Sequence, residues 1–172
     1  MQRAPFAFLL SLVGCVRDTV PRLATPRSIV LREQTTIAAG AERVWDVLTD
    51  LPRYGEWNPW LVSAEGTLAP GGVVWARVWL NGAQRRAKHV VLAVEPRTRL
   101  CWRDAGWTTA FVYGQRCREL DALPDGTVRF RQELLLDGPF RATALKRYGE
   151  ALRSGLAAET RALKARAEQA PR

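Results

Sequence analysis

Ile29, Leu31 and the run Thr35 to Ile37 give the stretch Ile29 to Ile37 the apolar, β-branched character of an extended strand. Ala38-Ala39-Gly40 breaks that pattern. From Ala41 to Thr49 the apolar residues Val44, Trp45, Val47 and Leu48 recur at helical spacing behind Glu42, which suits the positive end of a helix. Asp50 reads as the cap of a second short helix with Pro52 in its first turn. That helix must stop before Pro59, because proline disfavours helical geometry at the residue ahead of it. Trp57-Asn58-Pro59-Trp60 is therefore predicted as an extended corner carrying two indoles.

Six further strands follow, over Leu61 to Leu68, Val73 to Leu80, Gln84 to Glu95, Arg99 to Asp104, Ala110 to Leu120 and Thr127 to Asp137. Pro70-Gly71-Gly72, Asn81-Gly82, Glu95-Pro96, Ala105-Gly106 and Pro124-Asp125-Gly126 separate them with turn chemistry, so a meander of antiparallel strands is expected. Alternation assigns one face to Val74, Ala76, Val78 and Leu80, to Val90, Leu92 and Val94, and to Val128, Phe130, Gln132, Leu134 and Leu136. The cover for that face is a long helix from Phe140 to about Gln169, with Leu145, Tyr148, Leu152, Leu156 and Leu163 as its apolar stripe. Gly149 and Gly155 weaken that helix and mark a bend or a close approach.

The length of 172 residues, 47% apolar and 25% charged, fits one folded domain with an appendage and excludes low-complexity or fibrous chains. No apolar stretch after Val16 is long enough to cross a bilayer. Residues 1–14 differ: Arg3 precedes an apolar run, and Leu12-Val13-Gly14-Cys15 resembles the lipobox of bacterial lipoproteins. This reading makes residues 1–14 a signal peptide, Cys15 the lipidated residue, 15–28 a tether and 29–169 the folded domain, located in the cell envelope. A translation start near Val30 would instead leave the chain cytoplasmic.

A formal charge of +9 favours anionic partners, including a membrane surface, but the basic residues are spread from Arg3 to Arg172 and form no arm of the kind that binds nucleic acid. Cys15, Cys101 and Cys117 lack the spacing of a metal site. Cys101 and Cys117 read as two buried thiols, with a cross-strand bond left open because register is not set by sequence. No metal and no cofactor is implied, since neither a phosphate loop nor a dinucleotide fingerprint occurs. The single histidine, His89, falls opposite Val90, Leu92 and Val94 and is expected on the exposed face. No serine sits in a nucleophile elbow. Seven tryptophans, at 45, 57, 60, 75, 79, 102 and 107, remain as the conspicuous inventory. Trp45 reads as core, and Trp75 and Trp79 share an outer face with Arg77.

These elements in this order carry a resemblance. Ile37 to Asp50, Leu51 to Trp60, Gly66 with Gly71-Gly72, Val94-Glu95-Pro96 with Leu100 to Trp102, and Gly126 to Gly138 resemble the START-like polyketide cyclase/dehydrase and lipid transport superfamily, also called SRPBCC. The resemblance spans roughly residues 29–168 and implies an α+β helix-grip fold. In it a curved antiparallel sheet of about seven strands surrounds a long C-terminal helix, with two short helices after the first strand. The chain departs from the family's pattern in lacking a proline before the first helix and in carrying Arg116 where related sequences often have histidine.

The resemblance further implies an apolar cavity between sheet and helix and a small hydrophobic ligand such as a lipid, isoprenoid or polyketide-like compound. Trp57 and Trp60 fall at its mouth, Trp102 on the sheet wall, Tyr148 and Leu152 on the helix wall, and Arg116, Gln132 or Glu133 as polar contacts. Gln132 alternates with Phe130 and Leu134 and so points inward, wanting a partner. Arg116 faces an anionic ligand group or pairs with a carboxylate. Two other functions fit the same fold: a cyclase, aromatase or dehydratase, with Glu133, Arg116 or Tyr113 in place of an inward histidine, and a chaperone- or ribosome-associated module using Trp75, Arg77 and Trp79.

Overall fold

The computed structural model describes residues 19–169; the lipobox and Cys15 lie outside the described residues. Among the described residues seven strands form one antiparallel sheet, in the order β1-β7-β6-β5-β4-β3-β2. They are β1 (Ile29–Ile37), β2 (Leu61–Gly66), β3 (Val73–Leu80), β4 (Ala83–Glu95), β5 (Arg99–Asp104), β6 (Tyr113–Ala122) and β7 (Val128–Asp137). Helix α1 (Ala41–Thr49) and helix α2 (Tyr54–Trp57) join β1 to β2, and α3 (Arg141–Glu168) closes the chain. The predicted helix-grip architecture is the one observed. The meander falls into consecutive pairing from β2 to β7, and β1 returns to pair with β7 over its whole length.

Two local expectations differ. Asp50 makes no side-chain cap, and the segment after it is a single 3-10 turn, Leu51–Arg53, before α2. The start of the sixth strand is displaced to Tyr113 because Trp107–Ala110 winds into another 3-10 turn.

The inner face of the sheet is read directly from register. Val74, Ala76 and Val78 of β3 are buried, as expected, and so are Val128, Phe130, Gln132, Leu134 and Leu136 of β7. In β4 the expected face is wrong for half the strand. The pairing with β5 skips a residue between Val91 and Ala93, and this bulge reverses the alternation. Ala87, His89 and Val91 share the inner face with Val94, while Leu92 is buried outside the inner core and Val90 is half-buried.

Helix α3 lies across this face and is most tightly held at its C-terminal end. Lys164 Nζ donates to the Thr36 carbonyl at 2.6 Å, the Ala38 amide donates to Glu168 Oε1 at 2.7 Å, and Arg166 pairs with Glu56. Burial follows: Leu156, Glu159, Thr160, Leu163 and Ala167 are buried, whereas Leu145, Tyr148 and Leu152 in the first half are only partly so.

The outer face has its own cover. Residues 19–28 run across it as a strap. Gln115 pins the strap with both ends of its amide, accepting from the Arg22 amide at 2.8 Å and donating to the Arg22 carbonyl at 3.0 Å. Tyr113 donates to the same Gln115 oxygen and lies under the Arg22 guanidinium. Farther along, Arg141 at the start of α3 donates to the Arg27 carbonyl. Beside Gln115, Cys101 and Cys117 are cross-strand partners and form a disulfide, correcting the expectation of two free thiols.

Candidate ligand-binding site

The corner before β2 is built by one side chain that the sequence reading passed over. Asn58 is buried, and its Oδ1 accepts from the amides of Trp60 at 3.0 Å and Leu61 at 2.9 Å. This side-chain turn satisfies the two amides that Pro59 leaves without a helical partner and directs Trp60 inward. The Trp60 Nε1 donates to the Trp79 carbonyl at 3.1 Å, locking the indole against β3. Facing the ring is Gly155 of α3, where a Cβ would lie within 2.4–2.5 Å of the indole. The close approach expected of this glycine is therefore real, and its counterpart is Trp60.

Behind Trp60 lies a buried ionic cluster. Arg116 and Arg118, two residues apart on β6, both point inward, and Glu159 of α3 reaches between them. Arg116 Nη1 donates to Glu159 Oε2 at 2.6 Å; Arg118 Nη2 and Nε donate to Oε1 at 3.0 and 3.2 Å. All three side chains are 4% exposed or less. Indoles line the cations: the Arg116 guanidinium lies 4.7 Å from the Trp60 ring centre and 5.2 Å from that of Trp102, and Arg118 lies 4.1 Å from Trp102.

The electrostatics follow from this enclosure. Burial, together with repulsion from Arg118, pulls the Arg116 guanidinium down to about 10 against the attraction of Glu159, so it stays charged at neutral pH. Burial alone would raise the Glu159 carboxyl, but the two guanidiniums outweigh it and hold the group below the usual carboxylate range. Tyr54, buried beneath and donating to the Leu48 carbonyl at 2.6 Å, is pushed up to about 12 by burial. Gln132 Nε2 finds the partner that its inward position demands, donating to Thr160 Oγ1 at 2.7 Å and the Leu156 carbonyl at 3.0 Å.

On the far side of Trp60 a groove of about 490 Å³ opens to solvent. Pro59, Trp60, Trp79 and the Asn81-Gly82 turn form one wall; Glu150, Ala151, Ser154, Gly155 and Ala158 of α3 form the other. Trp60 is the shared wall of groove and cluster.

The structure thus brings Trp60, Trp102, Arg116 and Gln132 into one region. Trp57 instead leans edge-on against Tyr54, with ring centres 5.1 Å apart. Leu152 packs on the core from α3, and Tyr148, half-buried one turn earlier, has Arg147 beside its ring. Glu133 and Tyr113 belong to the outer face: Glu133 pairs with Arg32 at 2.9 Å, and Tyr113 sits under the strap. Trp75, Arg77 and Trp79 lie on the outer side of β3 as expected, with Arg86 stacked on Trp75. His89 is the main correction. The β4 bulge turns it inward, 9% exposed, nearly parallel to the Trp102 ring at 5.3 Å. Its Nδ1 lies 3.2 Å from Asp104 Oδ1, close in distance but not aligned as a hydrogen bond.

The model of the family described as polyketide cyclase / dehydrase and lipid transport matches residues 28–168. The chain belongs to that family. Solved structures with the same fold include the ZhuI aromatase/cyclase from Streptomyces sp. R1128, at 18% identity and TM-score 0.68, covering 82% of this chain and 94% of that one. A START superfamily protein from Mycobacterium smegmatis is similar at 20% identity and TM-score 0.61, with coverage of 81% and 97%. Norcoclaurine synthase from Thalictrum flavum, in complex with dopamine and hydroxybenzaldehyde, is similar at 14% identity and TM-score 0.60, with coverage of 80% and 85%. Comparison with curated protein sequences gives no match. Family members bind small hydrophobic ligands, and in this chain the Trp60 corner, the β6 arginines and Glu159 meet between the sheet and α3.

Proposed function

We propose that this protein binds a small hydrophobic, ring-bearing molecule between the sheet and α3, admitted at the Trp60 groove. The carrying observation is that groove: about 490 Å³, within the range of small-molecule sites, with the Trp60 indole facing a stretch of α3 kept small by Ala151, Ser154, Gly155 and Ala158. Apolar burial drives binding, and the Trp60 indole supplies flat surface for a ring. The structural neighbours, an aromatase/cyclase and a synthase solved in complex with two ring compounds, support this ligand size. The test is native mass spectrometry of residues 16–172 for a copurifying compound, with tryptophan fluorescence titrated against bicyclic aromatic compounds and fatty acids. Saturable quenching that Trp60→Ala abolishes is the expected result. Fluorescence that ignores every compound, from a protein that purifies empty, overturns the reading.

A second reading, a cyclase- or dehydratase-type enzyme, is favoured by one observation: the sole histidine lies on the inner face, against Trp102 and beside Asp104. A proton-transfer role requires turnover that His89→Gln removes while binding persists.

For location we propose an envelope protein anchored through a lipid on Cys15, with the basic surface held against anionic lipid. The Cys101–Cys117 disulfide supports an oxidising compartment. Membrane fractionation of the full chain, lost with Cys15→Ser, is the expected outcome; an unchanged soluble fraction in both forms overturns the anchor.

A further inference from the structure

We infer that the ligand is an acid: a ring-bearing carboxylate whose anionic group docks at Arg118 and Arg116. This deepens the proposed function and rests on it. The argument begins with charge. Two buried guanidiniums share one buried carboxylate, so the cluster holds an excess of one positive charge where water is excluded. The other carboxylate whose charge acts on Arg116 is Asp104, whose side chain is 56% exposed and faces His89. It does not neutralise the interior.

Hydrogen bonding tells the same story. Glu159 engages Arg118 through Nε and Nη2, which leaves the other arm, Nη1, buried without a hydrogen-bond partner on a side chain with no exposure. An ordered water would answer that donor but not the charge; an anionic oxygen answers both. The surroundings favour a ring-bearing acid over a small inorganic anion. Arg116 lies between Trp60 and Trp102, Arg118 lies against Trp102, and Trp60 is also the wall of the groove. A ligand that shifts the Trp60 indole places its ring against tryptophan and its acid group against guanidinium. The cluster's own Glu159 shows that this pocket of β6 already accommodates a carboxylate in such a pose.

The probe pair is 2-naphthoate and its methyl ester, equal in ring and differing in charge, titrated at neutral pH by tryptophan fluorescence and by thermal shift. The acid should bind about tenfold or more tightly than the ester, the worth of one charge-assisted hydrogen bond. Arg118→Gln should remove that preference, bringing the acid-to-ester affinity ratio down to about one, and Arg118→Lys should keep part of it. Equal binding of acid and ester by the native chain, or a preference that survives Arg118→Gln, overturns the inference and leaves the cavity reading standing. Failure of both probes and of the wider panel overturns the cavity reading itself. Should Arg118→Gln not fold by circular dichroism, the acid-to-ester ratio of the native chain, with that of Arg118→Lys, decides the matter alone.

Discussion

Gly155 of α3 and the Trp60 indole share one volume, for a Cβ at residue 155 would stand 2.4 Å from the ring. The helix interior accepts a weak helix former here because nothing larger fits beside the corner that Asn58 builds. Gly155→Ala should therefore destabilise the protein by about 1–3 kcal/mol, although alanine is the better helix residue. Chemical denaturation monitored by tryptophan fluorescence measures this, and a stabilised variant would show that Trp60 is not seated against α3.

Acid should unfold the protein partly through Glu159. Its carboxyl is held below the ordinary 4.5 by the two guanidiniums, so the folded state releases its proton more readily than the unfolded chain. The stability it contributes is complete above the unfolded value and is lost as pH falls through the folded one. Unfolding free energy should decline below about pH 4.5, more steeply in the native chain than in Glu159→Gln. At neutral pH the same substitution leaves two buried cations without a counter-charge, and a cost of about 3–5 kcal/mol is expected.

The Cys101–Cys117 bond closes a loop with a sequence separation of 16 on the outer face of the sheet, opposite the face that carries Trp102 and Arg116. Replacing both cysteines by serine, or reducing them, should lower stability by about 2–4 kcal/mol without altering ligand affinity. Thermal denaturation with and without reductant, beside a binding titration, checks the two halves of this statement.

Gln115 is the fastening of the strap, through two hydrogen bonds to one residue, Arg22. Gln115→Ala should speed proteolytic cleavage within residues 19–28 by about tenfold while the core stays resistant. Equal cleavage rates would place the strap's hold elsewhere, for example at Arg27 and Arg141.

Much of this architecture is legible from local pattern. β1, α1, β3 and β5 have the bounds that periodicity and turn residues assign, because each carries its own alternation and its own stop signals. His89 shows where that legibility ends. One skipped pairing between Val91 and Ala93 inverts the faces of β4, and a bulge of this kind leaves no mark in hydrophobic alternation. The site is divided in the same manner. Trp60, Trp102, Arg116 and Gln132 were visible as inward or corner residues, yet Glu159 was hidden in a run of helix formers. Its one signal is position: Glu159 and Thr160 fall on the stripe between Leu156 and Leu163, where charge or hydroxyl is out of place without a partner. Arg118 carried a similar signal, two residues from Arg116 on the same side of β6. The disulfide depended on register, which joins residues that sequence alone leaves unpaired.

The strap sets how the domain would bear any load applied to the chain ahead of Thr19. Its contacts lie in series: Arg22 on Gln115 comes first, Arg27 on Arg141 next, and only then does β1 begin. A pull from upstream is borne in shear by the outer face, one fastening at a time, before any load reaches the strand that seats the last turns of α3. The sheet would thus act as strain relief for any load applied ahead of Thr19, leaving the groove at Trp60, on the opposite side, out of its path.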